Sequence, residues 1–173
     1  MTENTNDPVA QGEQQNSEQV TFSMQKIYVK DSSFEAPGVP ETFSFKDGYR
    51  PNVNLELNTN NRHLDGDLHE VTLHITVTAK HDDTVLFLAE IKQAGIFLVT
   101  NMDDANKRHT LGSFCPSVLF PYARTMISEM ITHGGFPQLL LAHINFEQLY
   151  QAQEAKRQEQ AAQAENNEGE STH

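Results

Sequence analysis

The sequence predicts an α+β fold: a four-stranded antiparallel sheet with a long crossover loop, followed by two helices packed on one face. Two stretches carry most of that expectation. Residues 69–79 alternate without a break, with Val71, Leu73, Ile75, Val77 and Ala79 pointing one way and Glu70, Thr72, His74, Thr76 and Thr78 the other, the pattern of a strand buried on one face. Residues 113–141 instead carry apolar side chains at helical spacing and are punctuated by Pro116, Pro121, Gly134, Gly135 and Pro137. A third observation sets the limits: residues 1–19 and 151–173 contain almost nothing that could be buried, so one domain is expected at 20–150 between a disordered acidic tail and a frayed helix end with a second acidic tail.

The elements follow in order. Phe22, Met24, Ile27, Tyr28 and Val29 predict a first strand whose alternation slips near Gln25 and Lys26, as a β-bulge would cause. Residues 31–50 hold Pro37, Gly38, Pro40 and Gly48 and read as a long link, too long for a hairpin and of the length that often carries function. Its Phe34, Phe43, Phe45 and Tyr49 need something to pack on. Val53, Leu55 and Leu57 alternate with Asn54, Glu56 and Asn58 as a half-buried second strand, and residues 59–68 read as a polar turn. After the 69–79 strand, residues 80–83 turn the chain, and residues 84–93 return as its hairpin partner. That partner points Val85, Phe87, Ala89, Ile91 and Gln93 inward and Leu86, Leu88, Glu90 and Lys92 outward. Outward leucines are common and need no explanation; beside carboxylates they can also form a docking patch.

Residues 101–110 read as polar and loose. A helix is expected over 117–132, with Pro116 in its first turn, a kink or later start at Pro121, and Gly134-Gly135 as its stop. Its apolar residues, from Val118 round to Ile131, cover roughly 220° of the helical wheel at about 100° per residue. A helix on one sheet needs only about 100°. Either a second layer of the same chain or a partner subunit must cover the rest, and the partner is the simpler answer given how little apolar material remains. Asn145, with Gln148 three residues later, resembles a capping box for a last helix carrying Phe146, Leu149 and Tyr150. Past Gln153 only Ala, Gln and charged residues continue it, and it should fray.

The chain holds 24 acids and 12 bases, for a net charge of −12. Four acids in 1–19, and five acids against two bases in 151–173, account for −7 of it. This balance argues against nucleic acid, which needs clustered Lys and Arg; it permits a basic partner and equally serves solubility alone. The single cysteine, Cys115, permits no disulfide and no zinc-type spacing. No signal-peptide core and no run of ~18 apolar residues is visible, which predicts a soluble, cytoplasmic protein.

No catalytic constellation emerges. The glycines lack phosphate-loop spacing. Of the eight histidines, His69 and His74 are five apart on a strand and so face opposite ways, and His133 and His143 have no near partner ligand; all read as solvent-facing or hydrogen-bonded. Cys115 sits in an apolar run without a base and reads as an inert thiol. No metal, no cofactor and no enzymatic activity are expected. Excess apolar area and an acidic exterior suit a protein that binds other polypeptides.

Four segments then take on a joint meaning: Ile27-Tyr28-Val29-Lys30-Asp31-Ser32-Ser33-Phe34-Glu35-Ala36-Pro37, Glu90-Ile91-Lys92-Gln93-Ala94-Gly95-Ile96-Phe97, Cys115-Pro116-Ser117-Val118-Leu119-Phe120-Pro121-Tyr122-Ala123-Arg124, and Gly135-Phe136-Pro137-Gln138-Leu139. In that order they resemble the SecB family of bacterial protein-export chaperones, and the likeness runs from about Val20 to Tyr150. The resemblance implies a homotetramer, a dimer of dimers with long helices packed between sheets, which would cover the spare arc of the 117–132 helix. It implies a chaperone that holds unfolded preproteins and delivers them to the SecA ATPase, whose basic C-terminal tail carries a zinc ion of its own. The SecA-docking positions would be Asp31, Glu35, Leu88 and Glu90. The unfolded-peptide groove would be lined by Tyr49, Val53, Leu55, Leu57, Tyr122, Phe146 and Tyr150, with Tyr49 standing where many relatives carry Trp and the loop slightly longer. The assembly interface would hold Ala89, Ile91, Gln93, Met126 and Met130. Read without the resemblance, Phe146 and Tyr150 are equally good core, and Asp31 is equally good as the start of a turn. Two other functions fit the pattern: an α+β domain binding a small acyl or lipid ligand, and a SecB-like chaperone serving a toxin–antitoxin pair.

Overall fold

A computed structural model describes residues 19–44 and 51–170. Four strands, β1 (Thr21–Glu35), β2 (Asn52–His63), β3 (Leu68–His81) and β4 (Thr84–Thr100), form one antiparallel sheet in the order β1-β4-β3-β2. Three helices follow: α1 (Asp104–His109), α2 (Cys115–His133) and α3 (Phe146–Glu170). The strand order explains the long link after β1. β1 and β2 are opposite edges of the sheet, three strand spacings or roughly 14 Å apart, so the chain must cross the sheet to begin β2. A short 3₁₀ turn at Glu41–Ser44 lies within this crossover.

The fold class holds, and several boundaries move. β1 does not end near Val29 but runs to Glu35 along the 17-residue β4. Register shifts between Met24 and Lys26 and between Val29 and Asp31 change which residues face inward, so simple alternation fails there. The polar turn expected from residue 59 is shorter, because β2 pairs with β3 as far as His63↔His69. Both faces of that end are polar and no alternation marks it. Leu86 is fully buried rather than outward. A register shift pairs Ala79 with Phe87 and Lys80 with Val85, leaving Leu86 as the extra residue, and Leu86 and Phe87 both enter the core.

Residues 101–110 are not loose. Asp103 caps α1, its Oδ1 accepting the Ala105 and Asn106 N–H groups at 3.1 and 3.0 Å. One turn of π-helix, Thr110–Phe114, joins α1 to α2 without a break, so helical structure starts well before residue 117 and continues through Pro121. At the far end of α2 the Gly135 N–H donates to the Thr132 carbonyl and the Phe136 N–H to the Ile131 carbonyl, with Gly135 at φ 85°, a Schellman stop that requires the left-handed conformation glycine adopts freely.

The core lies between α2 and β3–β4. Val71, Leu73, Ile75, Val77, Ala89, Ile91 and Phe97 meet Leu119, Ala123, Ile127 and Ile131, all fully buried, each of the larger side chains worth on the order of 2 kcal/mol. The wide apolar arc of α2 divides between two fates. The chain's own segment after α2 covers part of it: Phe136, Leu141 and Phe146 are buried, and the Phe146 ring meets Phe120 at 5.6 Å. Phe114 and Tyr122 remain 49% exposed, and Val118, Met126 and Met130 are only partly buried.

Asn145 caps α3 by accepting the Gln148 N–H at 3.1 Å. The first turns of α3 dock on the π-turn, where the Tyr150 ring lies on Gly112 so closely that a Cβ there would sit 2.6 Å from it. The helix continues to Glu170, past the point where the sequence predicts fraying. Between Gln151 and Gln163 nearly every side chain is exposed, and strong helix formers carry the helix there.

Candidate functional site

The sheet has a helix-covered face and an outer face, and the predicted docking residues gather on the outer one. Opposed pairs across β1, β4 and β3 form three rows: Asp31–Lys92–His74, Ser33–Glu90–Thr76 and Glu35–Leu88–Thr78. The bulge after Val29 sets this register. Asp31, Glu35, Leu88 and Glu90 therefore share one patch, with Asp31 and Glu35 exposed and Leu88 and Glu90 half-buried. Lys92 Nζ donates to Asp31 Oδ2 at 2.8 Å. That hydrogen bond, with the charge behind it, holds the Asp31 carboxyl below the usual carboxylate range and pushes the Lys92 ammonium up. The Thr76 hydroxyl donates to Glu90 Oε1 at 3.0 Å, and His74 Nε2 lies 3.9 Å from the same oxygen. Asp31 keeps 60% of its side chain exposed and Glu90 38%, so both carboxylates are accessible from the outer face.

A second carboxylate on the same face is built differently. Glu70 has only 6% of its side chain exposed. It accepts hydrogen bonds from the Tyr28 hydroxyl, from Lys30 Nζ at 2.9 Å and from Arg62 Nε at 3.2 Å. Tyr28 and Lys30 come from one edge strand and Arg62 from the other, so Glu70 ties both edges to the sheet centre. Hydrogen bonds from Tyr28 and Lys30 hold its carboxyl low, while burial and the neighbouring carboxylate push the Tyr28 phenol up to about 12.

The expected groove residues do not form a single surface. Leu55 and Leu57 lie on the helix-covered side of β2, half-buried against the core, with Val53 37% exposed beside them. Tyr122 stands on the other side of the domain, in a groove of about 590 Å³ shared with Ile27, Val29 and Met126. Phe146 is buried against Phe120. Tyr150 is half-buried, edge-on to His109 at 5.2 Å. Tyr49 lies outside the described residues.

Of the aromatics expected on the crossover, Phe34 and Phe43 find a floor, and Phe45, like Tyr49, lies outside the described residues. Phe43 sits 5.3 Å from Phe136, which sits 4.9 Å from Phe87, and Phe34 joins Phe87 at 6.0 Å. Gly134 and Gly135 leave the space for Phe34 and Phe43. Phe43 remains 54% exposed and extends the apolar surface beyond the residues predicted for it. The signal was present in the sequence, as a phenylalanine in a polar loop.

The predicted assembly residues also separate. Ala89 and Ile91 are fully buried and Gln93 nearly so. The helix above them is the chain's own α2, and Gln93 Nε2 donates to the Tyr28 carbonyl at 2.9 Å. In the single chain they lie beneath that helix, whereas Met126 and Met130 remain partly exposed. Cys115 is buried, and burial alone pushes its thiol to about 12, which removes thiolate chemistry. Among the described residues no group of three His, Cys, Asp or Glu side chains could hold a metal ion, and no helix is long and apolar enough to cross a membrane.

The family model for "Preprotein translocase subunit SecB" matches residues 14–157. The protein-export protein SecB of Ectopseudomonas mendocina is 50% identical over 164 residues, covering 95% of this chain and 98% of its own length. The same protein of Pseudomonas putida is 50% identical over 143 residues, covering 83% and 87%. Among solved structures, a SecB-like chaperone of Mycobacterium tuberculosis, in complex with a peptide from an antitoxin, superposes with a TM-score of 0.59 at 14% identity over 71% of this chain and 90% of that one; this likeness carries the fold alone. With a matching family model over most of its length and half-identical relatives over nearly all of it, the chain belongs to the SecB family.

Proposed function

We propose that this chain uses the two sides of one sheet for two partners: unfolded preproteins on apolar surfaces of the helix-covered side, and SecA on the acidic outer face. Family membership makes the chain a protein-export chaperone that keeps precursors translocation-competent and delivers them to SecA. The division of labour between faces is our reading. The observation that carries it is the register itself, which gathers Asp31, Glu35, Leu88 and Glu90 on one outer patch while Leu55, Leu57 and Phe43 lie on apolar surface elsewhere. An unfolded chain is captured by the non-directional hydrophobic effect, at about 25 cal/mol per Å² buried. A basic, zinc-bearing SecA tail is instead recognised by charge, so that encounter is fast, oriented and weakened by salt.

The chain works without enzymatic activity or cofactor, in the cytoplasm, as a dimer of dimers. The apolar residues left on the π-turn, α2 and β1, Phe114, Tyr122, Met126 and Met24 among them, support an assembly that covers them. A native mass spectrum, alone and with one reduced, unfolded precursor, tests this. The expected result is a tetramer that gains the unfolded precursor and ignores the same protein once folded. A monomer or dimer indifferent to the precursor would contradict it.

A further inference from the structure

The docking patch contains a cation of its own. In the three cross-strand rows, continued onto β2 by Asn58, Glu56 and Asn54, Lys92 is the one lysine or arginine, and it is hydrogen-bonded to Asp31. A cationic segment approaching this face meets a carboxylate that is already taken and an ammonium of like charge beside it. We propose that Lys92 is a built-in competitor at the docking face, holding Asp31 in the free chaperone and yielding it when SecA binds.

The inference rests on reading this face as the SecA site. The geometry suits a contact that must open. Lys92 and Asp31 have 43% and 60% of their side chains exposed, so either group is rehydrated at once when the pair parts, and exposed ion pairs of this kind are individually weak. The contact is a single lysine–carboxylate bond, unlike the three-donor arrangement at Glu70. The lysine stem also lies in the row next to Glu90, so a displaced ammonium stays near the bound segment and continues to tune its affinity. Lys92 would thereby keep the association reversible, as a chaperone that hands over its cargo requires.

The test titrates SecA against the full chain and its Lys92→Met, Lys92→Arg and Asp31→Asn forms, at low and high ionic strength. Lys92→Met should tighten binding about two- to fivefold at low ionic strength, mainly through the on-rate, with the gain fading at high salt. Lys92→Arg should behave as the parent. Asp31→Asn should weaken binding, and most of the Lys92→Met gain should vanish in that background. Capture of an unfolded precursor should not change in any form, which also shows that each is folded. If Lys92→Met leaves SecA binding unchanged or weakens it while Asp31→Asn still weakens it, the competitor role is overturned and the docking site stands. If Asp31→Asn has no effect, the docking reading itself fails.

Discussion

Glu70 and Asp31 are carboxylates on the same sheet face, each paired with a lysine, yet they are built for opposite ends. Glu70 is almost out of contact with water and answers three donors from both edge strands. Asp31 is mostly in water, and the side chain that donates to it is that of Lys92. A buried carboxylate with its partners in place cannot be offered to another protein without first breaking the fold. An exposed one can exchange its partner at little cost. Exposure, more than charge, separates the part of this face that holds the sheet together from the part that can be recognised.

The sharpest way to break this comparison is at Glu70. Glu70→Ala should cost about 2–3 kcal/mol in urea unfolding at fixed protomer concentration, since three charge-assisted or phenolic hydrogen bonds go. The cost stays below that of stranding a buried ion because Lys30 and Arg62 can turn to water, being 45% and 64% exposed. SecA affinity should not follow it. A stability loss under about 0.5 kcal/mol would place Glu70 in the same class as the surface pairs.

A smaller effect separates Tyr28 by pH. Its phenol is raised from about 10 in an unfolded chain to about 12 here. The folded state thus favours the neutral phenol, so this contribution is complete below pH 10 and is lost as pH rises through 12. The melting temperature of the parent should therefore fall more steeply over that window than that of Tyr28→Phe. Glu70 has the opposite sign: its depressed carboxyl contributes above the ordinary carboxylate range and loses that contribution as pH falls below it. The smallest change is expected at the exposed ends of the clasp, where Lys30→Ala or Arg62→Ala alone should cost no more than about 1 kcal/mol, measured in the same urea assay.

Where the sequence could be read, one face of an element was buried and the other was wet. The β3 residues Val71 to Ala79 show this, as does the apolar run of α2. Where it could not, something interrupted the period. Bulges near Val29 and Ala79 hid the end of β1 and turned Leu86 inward. α1 has no buried face, and its cap at Asp103 was the signal that went unused. The residues proposed for docking come from family likeness, but their common patch and the Asp31–Lys92 pair depend on the register of β1 against β4, which no local pattern encodes. The groove was the least legible part. Helical spacing presents Phe146 and Tyr150 alike, and only the packing on Phe120 and Gly112 shows one buried and the other half-covered.

The central claim is that the two faces serve two partners independently. The direct measurement is SecA capture and unfolded-precursor capture, side by side, for a chain carrying Asp31→Lys and Glu90→Lys. Reversing two charges on the outer face should abolish SecA capture, with a loss of at least about 100-fold from like-charge repulsion, while precursor capture stays within about twofold of the parent. Loss of both activities together, in a protein that still melts like the parent, would contradict the separation of faces.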